Sequence, residues 1–397
     1  MSRTDSLDIA AVQDGVQKRR DSTRLAVIWI DWYAYHVARF RPLAHHPQLD
    51  AVGIELVGRA GVHGNLVFRS TEWDGLPITT LDPDHGWKEA GQRQLAKKLW
   101  TKLSELNPDA ILIPGYYTLP AIAATFWARL HGKTTILMSE STFDDHPRHR
   151  FKEAMKGAAL RVLFHASIAG GVRQIAYLKT LGFREDKIAR LYDVVDNDYY
   201  QEQADNCRKR GRGGHENLPE NYFLFVGRLA PEKNVDGLIT AFEQYRRNGG
   251  NWSLVLVGDG PSAAQLKAQA AAAGIADSVV FAGLKNTADI VPYFAFADCF
   301  VLPSMREPWG LVVNEAMAAG LPLIVSDRCG CADDLVEPEK NGYVFNPSDP
   351  RELGPLLTKF AGLNPERRQR MGRCSREIIA RYSPELWAEE VVRICKR

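Results

Sequence analysis

Short apolar runs recur along the chain, each too brief for a helix and each followed by a longer polar-apolar segment. In the first half they are LAVIWI (25–30), VGIELV (52–57), AILI (110–113), TTILM (134–138), VLFHASI (162–168) and IARLY (188–192). Continuous apolar runs of this length fit strands buried on both faces. Segments of helical character such as GQRQLAKKLWTKLSEL (91–106) lie between several of them. Strand–helix alternation predicts parallel sheets with helices on both sides.

The pattern lapses over 198–219, where DYYQEQADNCRKRGRGGHENLPE offers almost no core residues. An interdomain linker is expected there. It contains the basic run RKRGRGG, but one short run without interleaved aromatics is a poor basis for nucleic-acid binding. Alternation resumes with YFLFV (222–226), SLVLV (253–257), SVVFAG (278–283), CFVLP (299–303) and LPLIVS (321–326). The last stretch, SPELWAEEVVRICKR, opens with a Ser-Pro capping signal and continues as an amphipathic helix. The fold class expected is therefore α/β, with two Rossmann-like, doubly wound parallel-sheet domains facing a central cleft. The division is an arm (1–22), a first domain (23–198), a linker (199–219), a second domain (220–383) and a terminal helix (384–397). Ligands in such folds sit at the carboxyl ends of the strands.

Composition agrees with this reading and narrows it. A chain of 397 residues exceeds one ordinary core. Its formal net charge of +2 gives no bulk attraction to nucleic acid, so no nucleic-acid partner is expected. The six cysteines (207, 299, 329, 331, 374, 395) lack paired zinc-type spacing, which suits a reduced, cytoplasmic setting. Residues 1–22 are polar and lack an apolar centre, so a loose, disordered arm is expected rather than a secretory leader. AIAATFWA (121–128) is too short to span a bilayer, and any membrane contact would be peripheral. The segment 146–161, with His146, Arg148, His149, Arg150, Lys152 and Lys156, could meet anionic lipid or an acidic acceptor, or be a solvated helix.

Three stretches carry candidate chemistry. In FVGRLAPEKN (225–234), Arg228 and Lys233 leave a strand end in a loop with Gly227 and Pro231, where two cations could hold a diphosphate. VGDGP (257–261) sets Gly258 and Gly260 at another strand end, where backbone can approach a ligand. In MREPWGLVVNEAMAAG (305–320), a helix from about Trp309 to Ala319, closed by Gly320, leaves Glu307 in the preceding loop and Glu315 within the helix. The first N–H groups of such a helix favour an anion, and carboxylates accept from vicinal hydroxyls. Taken singly, these residues could equally be surface charges, a tight turn and capping glutamates.

In order, GRLAPEKN, LVLVGDGP, FAGLKNTADIVPYFAFADCFVLPS, REPWGLVVNEAMAAGLPLIVSD and NGYVF resemble the C-terminal half of the retaining glycosyltransferases of family 4, which have the GT-B fold. The likeness implies a nucleotide-diphosphate sugar, UDP- or GDP-linked, as donor substrate, with no further cofactor and no metal. It implies that Arg228 and Lys233 neutralise the donor diphosphate and leaving group, and that Glu307 accepts from the donor sugar. Gly227, Gly258, Gly260, Pro308, Trp309, Gly310 and Leu311 would line the donor, Glu315 would hold its ribose, and Gly283, Leu284 and Lys285 would read its base. The family's last helix returns to the first domain, which suits 384–397. Transfer would go to a hydroxyl acceptor by front-face attack, in glycan, polysaccharide or glycolipid synthesis.

The first half departs from that family. IDWYAYHVARF (30–40) stands where many members have Gly-Gly, so Asp31, Tyr33 and His36, with Tyr116 and Tyr117, are acceptor-side candidates. Glu140 falls where a histidine is frequent and could bond a hydroxyl, act as a base, or be structural. The triplet DND (196–198) resembles a metal-binding motif but sits in the expected crossover turn. An epimerase of the same fold and a non-catalytic nucleotide-sugar-binding protein are the other readings. The former would need proton-transfer groups beyond Glu140.

Overall fold

Two parallel sheets, each covered by helices on both faces, make up the protein in a computed structural model that describes residues 22–59, 73, 75–144, 148–215 and 217–396. The expected arm therefore lies outside the described residues apart from Ser22, as does His146 of the basic segment.

The first sheet has strands β1 (Thr23–Trp29), β2 (Leu49–Glu55), β3 (Ile78–Thr80), β4 (Ala110–Pro114), β5 (Thr134–Ser139), β6 (Ala166–Ala169) and β7 (Ile188–Ala189) in the order β3-β2-β1-β4-β5-β6-β7. Its helices are α1 (Ala34–Ala44), α2 (Gln92–Leu106), α3 (Leu119–Leu130), α4 (Arg150–Leu163) and α5 (Val172–Thr180). The second sheet has β8 (Tyr222–Val226), β9 (Ser253–Val257), β10 (Val279–Gly283), β11 (Cys299–Leu302), β12 (Leu323–Ser326) and β13 (Gly342–Phe345) in the order β10-β9-β8-β11-β12-β13. Its helices are α6 (Asn197–Arg210), α7 (Val235–Arg247), α8 (Ala263–Ala272), α9 (Val291–Phe296), α10 (Leu311–Ala318), α11 (Ala332–Leu335), α12 (Leu353–Ala361) and α13 (Pro365–Ile379), and α14 (Pro384–Cys395) follows.

β1 shows why the apolar runs became strands. Leu25, Val27 and Trp29 enter the core on one face, and Ala26 and Ile28 enter the core on the other. That two-residue alternation, apolar on both sides, is satisfied only by a strand with helices above and below. VLFHASI does not begin as a strand. Val162 and Leu163 finish α4, Phe164 follows as its cap, and pairing starts at Ala166, because the apolar run straddles a helix end. The edge strand β3, only three half-buried residues long, carries no such run and was not expected.

The segment expected to be linker differs more. Residues 197–210 form α6, whose Tyr200, Ala204 and Cys207 share one face and join the core of the second domain. Three apolar residues at helical spacing among ten polar ones escape a reading by composition. Asp196 caps the helix by accepting from the Tyr199 N–H at 2.9 Å. The Asn197 amide donates to the carbonyls of Ile379 and Tyr382, so DND is spent on a helix start and a tie to α13.

α14 packs on the first domain: Trp387, Ala388, Val391 and Val392 join the core that holds Leu25, Val27 and Trp29. The Ser383 side chain accepts from the Leu386 N–H at 3.3 Å, with Pro384 at the first helical position. The Glu390 carboxylate accepts from the Arg190 N–H and Arg393 donates to the Ile188 carbonyl, which fixes α14 beside β7.

Candidate functional site

In both sheets the strand order reverses beside the first strand, between β1 and β4 and between β8 and β11. Loops leaving two such neighbours part to opposite faces and open a crevice at the carboxyl end. The β8 loop carries Arg228 and Lys233, and the β11 loop carries Glu307 and runs into α10. The strand order thus brings together residues some eighty positions apart.

Local sequence shapes each loop. Pro231 opens a 3-10 turn over Pro231–Lys233, and Asn234 closes it in the left-handed region at φ 53°. The Asn234 side chain donates to the Pro303 carbonyl, and the Met305 N–H donates to the Glu232 carbonyl at 2.9 Å. The two loops are therefore bonded to each other before any ligand arrives. Lys233 Nζ pairs with Glu307 Oε2, and the Ser304 hydroxyl donates to the same oxygen at 3.3 Å. Arg228 is half-exposed, 3.9 Å from the Glu232 carboxylate.

Gly258 and Gly260 serve loop-to-loop packing. A Cβ on Gly258 would lie 1.9 Å from the Gly227 carbonyl oxygen, and one on Gly260 would lie 2.4 Å from that of Leu229. The Leu229 N–H donates to the Asp259 carbonyl across the same contact. Gly283 ends β10 in a bulge at φ 70°, and its carbonyl accepts from the Gly258 N–H.

α10 begins at Leu311, two residues later than expected, with Gly310 preceding it at φ 102°. In its first turn the Val313 N–H donates to the Gly310 carbonyl at 2.8 Å, and those of Leu311 and Val312 have no acceptor within the helix. Gly320, the expected stop, follows the helix in the left-handed region, and the Leu321 N–H bonds back to the Ala316 carbonyl at 2.9 Å. Burial pushes the Glu315 carboxyl up to about 7, against the pull of a hydrogen bond from the Tyr200 hydroxyl. Tyr200 comes from α6, so the segment read as linker supplies a direct partner of a candidate ligand-binding residue.

A cleft of about 900 Å³ gathers much of this set. Gly227, Arg228, Lys233, Gly258, Leu284 and Lys285 line one part, and Glu307, Gly310, Leu311 and Glu315 another. Tyr33 and Tyr35 from the first domain face them. Gly260, Gly283 and Pro308 support the loops without lining the cleft, and the Pro308 carbonyl accepts from Gln174 at 2.6 Å. Trp309 is buried, and its indole N–H donates to Asn314 Oδ1 at 3.0 Å.

The first-domain candidates divide. His36 stacks on Trp29 with ring centroids 4.6 Å apart, and burial with the nearby Arg39 holds its pKa well below the usual value. It belongs to an aromatic cluster with Trp32 and does not line the cleft. Asp31 is buried beside Tyr33, whose hydroxyl is pushed up by burial and that neighbouring carboxylate. Tyr116 is half-buried against the first-domain core and Tyr117 is exposed, both apart from the cleft. Glu140 lies at the end of β5 beside the buried Asp193, whose carboxyl is raised by burial and then by Glu140, with Arg39 opposing. The Arg39 guanidinium stands 3.7 Å from Asp193.

Contacts between the domains were missed by the sequence reading, although Gly170-Gly171 before a helix was a usable signal. A Cβ on Gly170 would lie 2.9 Å from the Trp309 ring, and one on Gly171 would lie 2.2 Å from the Asp334 carboxylate. Asp334 accepts from the Val172 N–H at the start of α5, and Arg173 makes a bidentate pair with Asp333, both bonds 2.7 Å. One domain thus caps a helix of the other. Cys329 and Cys331 are buried thiols in the loop between β12 and α11, pushed up by burial.

Comparisons with known proteins bear on the family and the fold. The family described as "Glycosyl transferases group 1" matches residues 210–378. The glycogen synthase of Mycobacterium tuberculosis is 32% identical over 347 residues, covering 84% of this chain and 78% of that protein. The uncharacterised glycosyltransferase MJ1607 of Methanocaldococcus jannaschii is 30% identical over 218 residues, and the chain spans 54% of its length. The chain covers 46% and 48% of the length of two further curated relatives. Among solved structures, Anabaena Alr3699/HepE in complex with UDP and glucose superposes with a TM-score of 0.69 at 17% identity, over 93% of this chain and 98% of that one. At that identity the likeness is one of fold.

Proposed function

The chain belongs to the group 1 glycosyl transferases, and from that premise we propose that it moves a hexose from a UDP- or GDP-linked donor to a hydroxyl acceptor, with retention at the anomeric carbon and without a metal ion. The observation that carries the reading is the single cleft in which Arg228 and Lys233 face Glu307, the start of α10 and Glu315. The donor diphosphate would lie against the two cations and the free N–H groups at Gly310 and Leu311. Glu307 would accept from hydroxyls of the donor sugar, and Glu315 from those of the ribose. The fold neighbour that binds UDP and glucose supports a donor of this class.

Before the donor enters, Lys233 and Glu307 neutralise each other. A diphosphate competes for the ammonium while a sugar hydroxyl takes up the carboxylate, so both groups are already held where the ligand needs them. As the C1–O bond to phosphate breaks, negative charge grows on the leaving diphosphate beside fixed cations and N–H dipoles. The acceptor oxygen forms its bond to C1 on the same face, and its proton passes to the departing phosphate oxygen. Glu140, close to Asp193 and outside the cleft lining, would bear on the acceptor rather than on this proton. We place the enzyme in the cytoplasm, a setting consistent with its six unpaired thiols.

The test is nucleoside-diphosphate release from UDP- and GDP-hexoses, with the anomeric configuration of the product read by proton NMR. Release that persists in EDTA with an unchanged anomer supports the proposal. Loss of release in EDTA would refute the metal-free mechanism, and an inverted anomer would refute retention.

A further inference from the structure

α3 and α4 lie side by side on one face of the first sheet, because the β4-β5-β6 connections run in one direction across it. Their inner sides enter one core through Ala121, Ala124, Trp127 and Leu160. Their outer sides are also apolar. On α3, Leu119, Ile122, Phe126 and Leu130 form a stripe at helical spacing, with Leu130 72% exposed. On α4, Phe151, Met155 and Val162 are 76%, 60% and 67% exposed, and of its fourteen residues only Gly157 and Leu160 are buried. Tyr117 and Phe143, in the loops after β4 and β5, extend the patch to the end of the sheet where the cleft opens.

Charge identifies the occupant. Residues 148–163 hold five Lys or Arg against one Glu, in a chain whose net charge is only +2. Arg148 and Lys156 are drawn inward to Glu153 and Tyr177, whereas Arg150 and Lys152 are exposed beside Phe151. Interleaved cations and large apolar side chains fit an interfacial helix, and protein interfaces are depleted in lysine. No helix among the described residues is long and apolar enough to cross a membrane. We infer that the outer face of α3 and α4 docks the protein on an anionic lipid bilayer, with Phe151 and Met155 entering the interface and Arg150 and Lys152 meeting the headgroups. Docking there brings the carboxyl end of the first sheet, where Tyr117 and Phe143 lie, close to the bilayer. On the transferase reading, which this orientation deepens, the hydroxyl acceptor is carried on a lipid.

Sedimentation of the full chain with vesicles tests the surface independently of catalysis. The wild type is expected to pellet with phosphatidylcholine vesicles containing phosphatidylglycerol, to stay in solution with phosphatidylcholine alone, and to be released by salt. Phe151→Ser/Met155→Ser and Arg150→Glu/Lys152→Glu should each weaken binding by about tenfold or more. Both should still bind UDP or GDP as the wild type does, because they lie outside the donor cleft. Failure of the wild type to bind anionic vesicles overturns the proposal. So does a wild-type dimer in light scattering that Phe151→Ser/Met155→Ser dissociates, which would assign the face to a second copy. Loss of nucleotide binding by the wild type would instead count against the transferase reading and leave the vesicle result standing.

Discussion

Replacing Glu315 by Gln separates what this residue costs the fold from what it gives the ligand. Burial raises its carboxyl from 4.5 to about 7, so the folded protein keeps a proton that the unfolded chain has released. Between those values stability falls as pH rises, and the loss is complete above about 7. At about 1.4 kcal/mol per pH unit it amounts to about 3 kcal/mol. Gln carries no charge at any of these pH values and removes the slope, while weakening the bond with Tyr200 by about 1 kcal/mol. Relative to wild type, Glu315→Gln should therefore be slightly less stable near pH 5 and about 2 kcal/mol more stable near pH 8. Urea unfolding of both proteins at the two pH values measures this, and other titrating groups cancel in the difference. Nucleotide binding should move the other way. Losing a carboxylate acceptor for ribose hydroxyls costs about 1.5–3 kcal/mol, or about ten- to a hundredfold in affinity near pH 8. Wild-type affinity should also rise with pH up to about 7. Stability curves that stay parallel between the two proteins would refute the raised carboxyl. An unchanged nucleotide affinity would refute the ribose contact.

Lys233→Ala should lower turnover by about two to three orders of magnitude, as expected for a cation acting on the leaving group, and unchanged turnover would remove Lys233 from the mechanism. Gly258→Ala places a Cβ 1.9 Å from the Gly227 carbonyl oxygen in a backbone at φ 139°, and should cost at least about 3 kcal/mol in chemical unfolding. Asn314→Ala removes the acceptor of the Trp309 indole and the donor to the Asp193 carbonyl. It should cost about 2–3 kcal/mol and, by loosening the domains, split calorimetric unfolding into two transitions.

The architecture was readable because parallel strands covered on both faces must be apolar throughout, as LAVIWI and YFLFV are. The donor-side grouping was readable because sequence spacing set Arg228 and Lys233 after one strand and Glu307 and Glu315 after another, and strand order made the two neighbours. α6 was hidden because a helix that buries only Tyr200, Ala204 and Cys207 has the composition of a linker. Gly258 was assigned to ligand approach; it lines the cleft and also yields to the neighbouring loop, a second role that stayed hidden because a glycine does not specify which backbone comes close. His36 carried a chemically suggestive identity, but α1 turns it onto Trp29. The side chain's fate there depends on aromatic packing that no local pattern encodes.

The central claim is that Arg228 and Lys233 hold a nucleoside diphosphate. Titration calorimetry of UDP and GDP against the wild type and Arg228→Ala/Lys233→Ala tests it most directly. One of the two diphosphates should bind the wild type, and the double variant should bind it at least about a hundredfold more weakly. Absence of binding by both, or equal affinity in the two proteins, would contradict the account.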